Sequence, residues 1–444
     1  VQGKMKKVLI LGAGRSASSL IQYLLDIATK NDYEITVADT SIDLVKQKTK
    51  DHPRSKAIAL DIANETKTHE EIGKVDLVIS MLPAFLHPKI AVQCVQMKKH
   101  LVTASYVSAD MKALDEDAKR AGIILMNESG LDPGIDHASA MKAIDHIKES
   151  GGKLLSFKSY TGGLIAPESN DNPWGYKFTW NPRNVVLAGQ GTACYIENGK
   201  YVYIPYHKLF SRIEKVNVDG QDYEGYANRD SLSYRSVYGI EDIPTLVRGT
   251  LRMPHYCAAW NVFVQLGITE DTYHIANSDK MTYRQFMESF IPAGKDDLKK
   301  RLANYVGIDE KGKIMTMLDW LGIFNDIPVK LKDASPAQIL QALLEEKWKL
   351  KEGDIDLIVM QHQFEYEWKG KKQQLFSSLV VKGDDAIHTA MAKTVGLPMG
   401  IVTKLILNGQ IKNIGVCIPT VKEIYAPMLE ELEGMGIKFH EKQM

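Results

Sequence analysis

The chain has 444 residues, and its 55 Lys plus Arg balance 55 Asp plus Glu, for a formal net charge of zero. That length excludes one small module, and that balance leaves no excess of cations to neutralise a phosphate backbone, so no nucleic-acid partner is expected. Hydrophobic residues make up 44% and charged residues 25%, an ordinary globular mix with enough apolar side chains for more than one core.

Val1-Gln2-Gly3-Lys4, before Met5, lacks the apolar stretch of a signal peptide and is set aside as a remnant preceding the natural start. Over the next 130 or so positions short β-rich runs alternate with helical stretches, the pattern of a parallel sheet covered on both faces. Strands are expected at Lys7–Leu11, Glu34–Ala38, Ala57–Leu60, Leu77–Met81, Leu101–Thr103 and Ile123–Met126. Val8-Leu9-Ile10-Leu11 and Leu77-Val78-Ile79 are continuously apolar, as suits strands buried on both faces. From Gly151 the texture changes to longer strands with interspersed aromatics, Lys153–Tyr160, Tyr201–Ile204, Ile213–Val218 and Leu357–Trp368, so a second, antiparallel or mixed sheet is expected. Between them lie helical patterns at Tyr283–Phe290, Leu298–Val306, Ile314–Leu321 and Pro336–Lys349. A helix at Ala386–Val395, a break at Gly396-Leu397-Pro398 and a second helix at Ile401–Leu407 close the series. The fold class is α/β: a Rossmann-type doubly wound parallel sheet plus an α+β domain with a helical insertion.

The longest apolar runs, Val8–Leu11 and Leu77–Leu82, are strand-length and far short of the roughly 20 residues of a membrane span, so a soluble protein with no membrane partner is expected. Cys94, Cys194, Cys257 and Cys417 are scattered; neither a disulfide framework nor a metal site is expected, and a cytoplasmic location fits.

Chemistry is signalled first by Gly12-Ala13-Gly14-Arg15-Ser16-Ala17, a GxGxxA directly after the first strand. The first glycine permits the tight turn, the second lets a pyrophosphate approach the backbone, and Ala17 lets helix pack on strand, with the helix N-terminus facing the phosphates. Asp39, ending the second strand, stands where a carboxylate accepts from the adenosine ribose hydroxyls, with Thr40 beside it. The second signal runs from Asn127 to His137 and contains Asp132-Pro133. Asp at an N-cap followed by Pro at the first helical position starts a helix unaided, so Asp132 reads either as a cap or as a carboxylate presented to a substrate. His137 reads as a satisfied helix histidine. Ser105 and Tyr106 lie past the fifth strand, on the edge where ligands of open α/β sheets bind. Further on, Asn228-Arg229-Asp230-Ser231 and Val247–Arg252 place guanidinium groups among apolar and aromatic neighbours, and arginine suits bidentate recognition of carboxylates. Pro173–Trp180 reads as a cofactor wall or as strand packing.

These stretches, with Ile79-Ser80-Met81-Leu82-Pro83, Thr103-Ala104-Ser105-Tyr106, Ser159–Leu164 and Asp171–Phe178, resemble in order the L-glutamate-forming saccharopine dehydrogenases over nearly the whole chain. The resemblance implies hydride transfer between a nicotinamide cofactor and the imine that joins 2-aminoadipate 6-semialdehyde to the amino group of glutamate, the reverse direction oxidising saccharopine. It implies that Ser105, Tyr106, Asp132, Arg229, Thr250, Leu251 and Arg252 contact the substrate, with Asp132 and Tyr106 as the acid/base candidates. It also implies that Asp61, Ile62, Leu82, Gly130, Leu131 and Trp180 lie along the cofactor. Fungal members carry an arginine past the second strand for the 2′-phosphate of NADP. Here Asp39, Thr40 and Ser41 stand there, so NAD is the expected preference and NADP the alternative, with Arg15 the one cation able to reach the 2′ position and Lys46 a solvated surface residue. Thr161 stands where the family often has cysteine.

The resemblance further implies a homodimer and a divided first domain: dinucleotide binding over 5–130 with a return segment at 386–444, substrate binding and dimerisation over 131–280 and 350–385, and a helical insertion at 281–349. The competing readings are a related imine reductase, such as a carboxynorspermidine dehydrogenase or homospermidine synthase, and a catalytically silent dinucleotide sensor. The paired arginines Arg229 and Arg252 argue against the first, and the intact substrate set against the second.

Overall fold

A computed structural model describes residues 5–444; Val1–Lys4, set aside above, lie outside the described residues. The chain divides into two units. In the first, strands β1 (Lys6–Leu11), β2 (Tyr33–Asp39), β3 (Ser55–Ala59), β4 (Leu77–Ser80), β5 (His100–Thr103) and β6 (Ile124–Met126) alternate with helices α1 (Ser18–Asn31), α2 (Ile42–Thr49), α3 (Glu65–Gly73), α4 (His87–Met97), α5 (Ala109–Ala113) and α6 (Asp115–Ala121). The apolar triplets Val8-Leu9-Ile10 and Leu77-Val78-Ile79 are wholly buried, because a parallel sheet carries helices on its faces. With Gly415–Cys417 these strands form one seven-stranded sheet in the order Gly415–Cys417, β6, β5, β4, β1, β2, β3, paired parallel throughout. The order reverses between β1 and β4, and ligands bind at the carboxyl ends of such a switch point.

The first unit runs to Lys153 and takes the chain back at Trp368–Gly370 and from Leu379 to Glu441. Both boundaries differ from the sequence division. Helix α7 (Ile135–Glu149), assigned there to the substrate domain, belongs to the first unit, where the hydroxyl of Tyr425, on the helix Lys422–Gly434, donates to Asp145 Oδ2 at 2.5 Å. The expected break at Gly396-Leu397-Pro398 does not occur: Ala390–Leu407 is one helix with Pro398 inside it. Its glycines serve close packing on α1. A Cβ on Gly396 would sit 2.8 Å from the backbone nitrogen of Leu20, and one on Gly400 would sit 2.4 Å from the Tyr23 ring. This helix is long and apolar enough to cross a bilayer by length and composition, yet 78% of it is buried inside the fold. In the sequence its apolar run is broken by Lys393 and Lys404.

In the second unit β7 (Lys153–Ile165), β8 (Thr192–Glu197), β9 (Lys200–Pro205), β10 (Glu214–Val218), β11 (Gln221–Ala227), β12 (Thr245–Arg252), β13 (Asp356–Trp368), β14 (Lys371–Lys382) and His440–Gln443 build a nine-stranded sheet. Its order is β10, β11, β12, β7, β13, β14, His440–Gln443, with β8 paired to β12 and β9. The sheet is mixed: β12 runs antiparallel to β11 and parallel to β7. The helices expected as an insertion form at Tyr283–Glu288, Leu298–Val306, Lys313–Trp320 and Pro336–Lys347. They are no separate body, since Phe286, Leu302, Leu318 and Leu340 share one core with Trp174, Tyr176, Phe178 and Trp348. The Trp174 indole N–H donates to the Met317 carbonyl at 2.8 Å. Within Pro173–Trp180, then, Trp174, Tyr176 and Phe178 are core rings, and Trp180 is only partly buried against them.

Candidate functional site

At the switch point, the Gly12 N–H donates to Ala38 O at 2.8 Å. Gly12 has a φ of +99°, and a Cβ there would stand 3.2 Å from the Met81 carbonyl oxygen, so only glycine fits where β1, β2 and β4 converge. Above Gly14 the space is open: an added Cβ would meet nothing within 4 Å. That leaves the loop accessible to a pyrophosphate, with Arg15 exposed, Ser16 partly buried, Ala17 buried and α1 opening at Ser18. The loop fits a dinucleotide.

Asp39 ends β2 and ties the loop down. Its Oδ2 accepts from the Ala13 N–H at 2.8 Å, and its Oδ1 from the Ser41 N–H at 3.1 Å and the Thr40 hydroxyl at 3.3 Å. Burial pushes its carboxyl up, but these hydrogen bonds outweigh it and hold the group below its usual range. A cation that the sequence reading missed stands beside it. Lys48, on α2, places Nζ 2.5 Å from Gly14 O and 2.9 Å from Ser18 Oγ; burial pushes it down to about 8, against the pull of Asp39. Lys46 is exposed, as expected. The long side chain of Lys48 reaches back to the loop, a contact visible only once α2 is folded. The remaining cofactor candidates follow strand ends: Asp61 (its Oδ1 accepting from the Ala63 N–H at 2.9 Å) and Ile62 after β3, Leu82 after β4, and Gly130 and Leu131, both buried, after β6.

On the same edge Tyr106 and Asp132 meet: the Tyr106 hydroxyl donates to Asp132 Oδ1 at 3.2 Å. Asp132 is not the cap of α7. That helix begins at Ile135 after Gly134, and its first N–H groups are taken elsewhere, Ile135 by Gly130 O and Asp136 by Leu131 O, while the Gly134 N–H goes to Asp136 Oδ1. His137 is wholly buried with Nε2 2.7 Å from Glu128 Oε2, the satisfied helix histidine expected. Glu128, unremarked in the sequence, also accepts the Val107 N–H at 3.0 Å and gives its own N–H to Ser105 O at 3.1 Å.

In the second unit β12 carries the substrate candidates. Arg252 is 4% exposed, and its guanidinium carbon lies 5.2, 5.8 and 5.3 Å from the ring centroids of Tyr176, Tyr226 and Tyr256. Among the described residues it has no carboxylate partner; Nη1 donates to Leu251 O at 3.0 Å, and Nε has no partner at all. The Thr250 hydroxyl donates to Asn228 Oδ1 at 2.7 Å. Its register partner on β7, Thr161, has a buried hydroxyl with no hydrogen-bond partner. Arg229 is exposed, whereas Arg248 is buried over the Tyr234 ring at 4.0 Å. Among the described residues no group of His, Cys, Asp and Glu could hold a metal ion.

Two family models match this chain, the saccharopine dehydrogenase NADP binding domain over residues 8–126 and the saccharopine dehydrogenase C-terminal domain over 130–437. A saccharopine dehydrogenase (NADP(+), L-glutamate-forming) of Schizosaccharomyces pombe is 36% identical over 99% of both chains. The mitochondrial alpha-aminoadipic semialdehyde synthase of Rattus norvegicus is 36% identical over 98% of this chain and 47% of that protein. Among solved structures, apo histidine-tagged saccharopine dehydrogenase (L-Glu forming) from Saccharomyces cerevisiae superposes with a TM-score of 0.88 at 34% identity, covering 99% of this chain and 100% of that one. The NAD preference read from Asp39 finds no support: the name of the Schizosaccharomyces pombe relative and the matching NADP binding domain point to NADP. Over its full length, and in both of its units, the chain belongs to the saccharopine dehydrogenase family.

Proposed function

We propose that this oxidoreductase of lysine metabolism oxidises saccharopine to 2-aminoadipate 6-semialdehyde and L-glutamate, and runs the reverse reduction, with NADP. The observation that carries the substrate is Arg252. A guanidinium stays charged when buried, and an unpaired buried charge is costly. The rings around Arg252 are phenols, neutral at ordinary pH because burial pushes Tyr176, Tyr226 and Tyr256 upward. The missing counter-charge is then a ligand carboxylate, and saccharopine carries three. Arg229 and the hydroxyls of Thr250 and Thr161 supply further polar contacts.

The Gly12–Ala17 loop, tied down by Asp39, would hold the nicotinamide cofactor, which would supply the hydride acceptor at its C4. The chain's own residues orient and move protons. Asp132, hydrogen-bonded to Tyr106, takes a proton from the substrate amine as its carbon loses hydride, and Tyr106 and Asp132 together serve the water that cleaves the imine. NADP is supported by the name of the Schizosaccharomyces pombe relative, by the matching NADP binding domain and by Lys48, a cation at the glycine loop that offsets Asp39. A homodimer and a cytoplasmic location belong to the same proposal; sedimentation and fractionation test them.

The experiment is a nicotinamide absorbance assay with saccharopine beside carboxynorspermidine, each with NADP and NAD. Turnover of saccharopine with NADP is expected. Turnover of carboxynorspermidine alone would reassign the substrate, and turnover of neither would make the protein a silent dinucleotide binder.

A further inference from the structure

The carboxyl edge of β4 and β5 holds a group that the proposed reaction does not use. His87 opens α4 and is 3% exposed. Its Nδ1 lies 2.8 Å from Ser80 Oγ; its Nε2 lies 2.8 Å from Ser105 Oγ and 3.0 Å from Thr103 Oγ1. Three hydroxyls from the ends of two neighbouring strands thus converge on one imidazole. Burial pushes the ring down to about 4, so it is neutral at ordinary pH and has one N–H and one lone pair. Such a ring relays direction: whichever nitrogen donates, the other must accept, and the hydroxyls on either side orient to match.

Ser105 is held at every polar atom. Its N–H goes to Thr103 Oγ1 at 3.3 Å, its carbonyl accepts from the Glu128 N–H at 3.1 Å, and its Oγ meets His87. Neighbouring Tyr106 carries the hydroxyl that reaches Asp132. A buried histidine serving only the core needs one satisfied nitrogen on each side; here one side ends on a partly exposed serine that faces the catalytic edge.

We propose that His87 is a positioning residue, which aims the Ser105 hydroxyl at the substrate through its Nε2. The proposal rests on the reading that Ser105 touches saccharopine, and the test separates the two. Glutamine places its amide near the Nε2 position and asparagine near Nδ1, so H87Q should keep the Ser105 contact and H87N should lose it. H87N is expected to raise the saccharopine KM about tenfold, the size of one lost hydrogen bond, with kcat and the NADPH Kd close to wild type. H87Q should recover most of the affinity, and H87N should add nothing in an S105A background. Equal effects of H87N and H87Q, or additivity with S105A, would overturn the positioning role while leaving Ser105 at the substrate. A wild-type KM in S105A alone would instead remove Ser105 from the substrate, and the proposal with it.

Discussion

The Tyr106 hydroxyl donates to Asp132 Oδ1 across 3.2 Å, although one residue follows β5 and the other follows β6. The pair couples a phenol to a carboxylate that stands ahead of α7, whose N-cap position is held by Gly134. Asp132→Asn keeps the shape and an acceptor oxygen but cannot take a proton. It should lower kcat by about a hundredfold or more, the usual worth of a positioned acid or base, with an unchanged melting temperature. Tyr106→Phe removes the hydrogen bond alone and should cost about tenfold. A drop in melting temperature in step with activity for Asp132→Asn would mean that the carboxylate is structural after all.

Much of this edge was legible beforehand for a physical reason. A parallel sheet buries its strands on both faces, so its sequence shows strands as unbroken apolar runs, and whatever polar residue follows each run lies on the carboxyl edge. Asp39, Ser105 and Asp132 fall out of that logic, Gly12 comes from the glycine pattern after the first strand, and Leu82 is implied by the resemblance alone. What stayed hidden depends on side chains that reach across elements. Lys48 looks like any solvated helix lysine until α2 packs beside the loop, and His87 looks like a helix-opening residue until β4 and β5 lie side by side. The single helix Ala390–Leu407 was misread because glycine and proline punctuate a sequence when read locally, whereas here they answer to α1.

That contact gives a stability prediction. A methyl on Gly400 would stand 2.4 Å from the Tyr23 ring, and one on Gly396 would stand 2.8 Å from the Leu20 backbone nitrogen. A ring can shift and backbone cannot. Both alanine variants should destabilise by about 1–3 kcal/mol, the range for overpacking, with Gly396→Ala the worse. Denaturant midpoints decide, and a stabilised Gly396→Ala would mean that helix propensity outweighs the clash.

Cofactor choice gives a pH prediction. Lys48, pushed down to about 8 by burial, is protonated below that value and neutral above it. A bound 2′-phosphate favours the protonated form, so NADP affinity should fall as pH rises above about 8, while NAD affinity should not. Lys48→Met should weaken NADP more than NAD and flatten the difference between the two profiles. Titrating nucleotide fluorescence at several pH values measures this; parallel NADP and NAD profiles in the wild type would remove Lys48 from the 2′ position and leave Arg15 as the cation to test.

Arg252 should trade stability for binding. In the free enzyme its guanidinium is buried against Tyr176, Tyr226 and Tyr256 with no carboxylate partner among the described residues, a desolvated charge that folding must tolerate. Methionine fills much of the same space without the charge. Arg252→Met should therefore melt at or above the wild-type temperature when no substrate is present, although most truncations in a core destabilise. Saccharopine binding should fail in the same variant, because a charge-assisted contact to a buried carboxylate costs about 2–5 kcal/mol when one partner is lost. Saccharopine should raise the melting temperature of the wild type and not of Arg252→Met, whereas NADPH should protect both alike. Arg229→Ala, at an exposed position, should raise the saccharopine KM with little change in melting temperature. If Arg252→Met instead unfolds several degrees lower and still binds saccharopine, the arginine is a core strut braced by its three rings, and the substrate carboxylates must find their cations elsewhere.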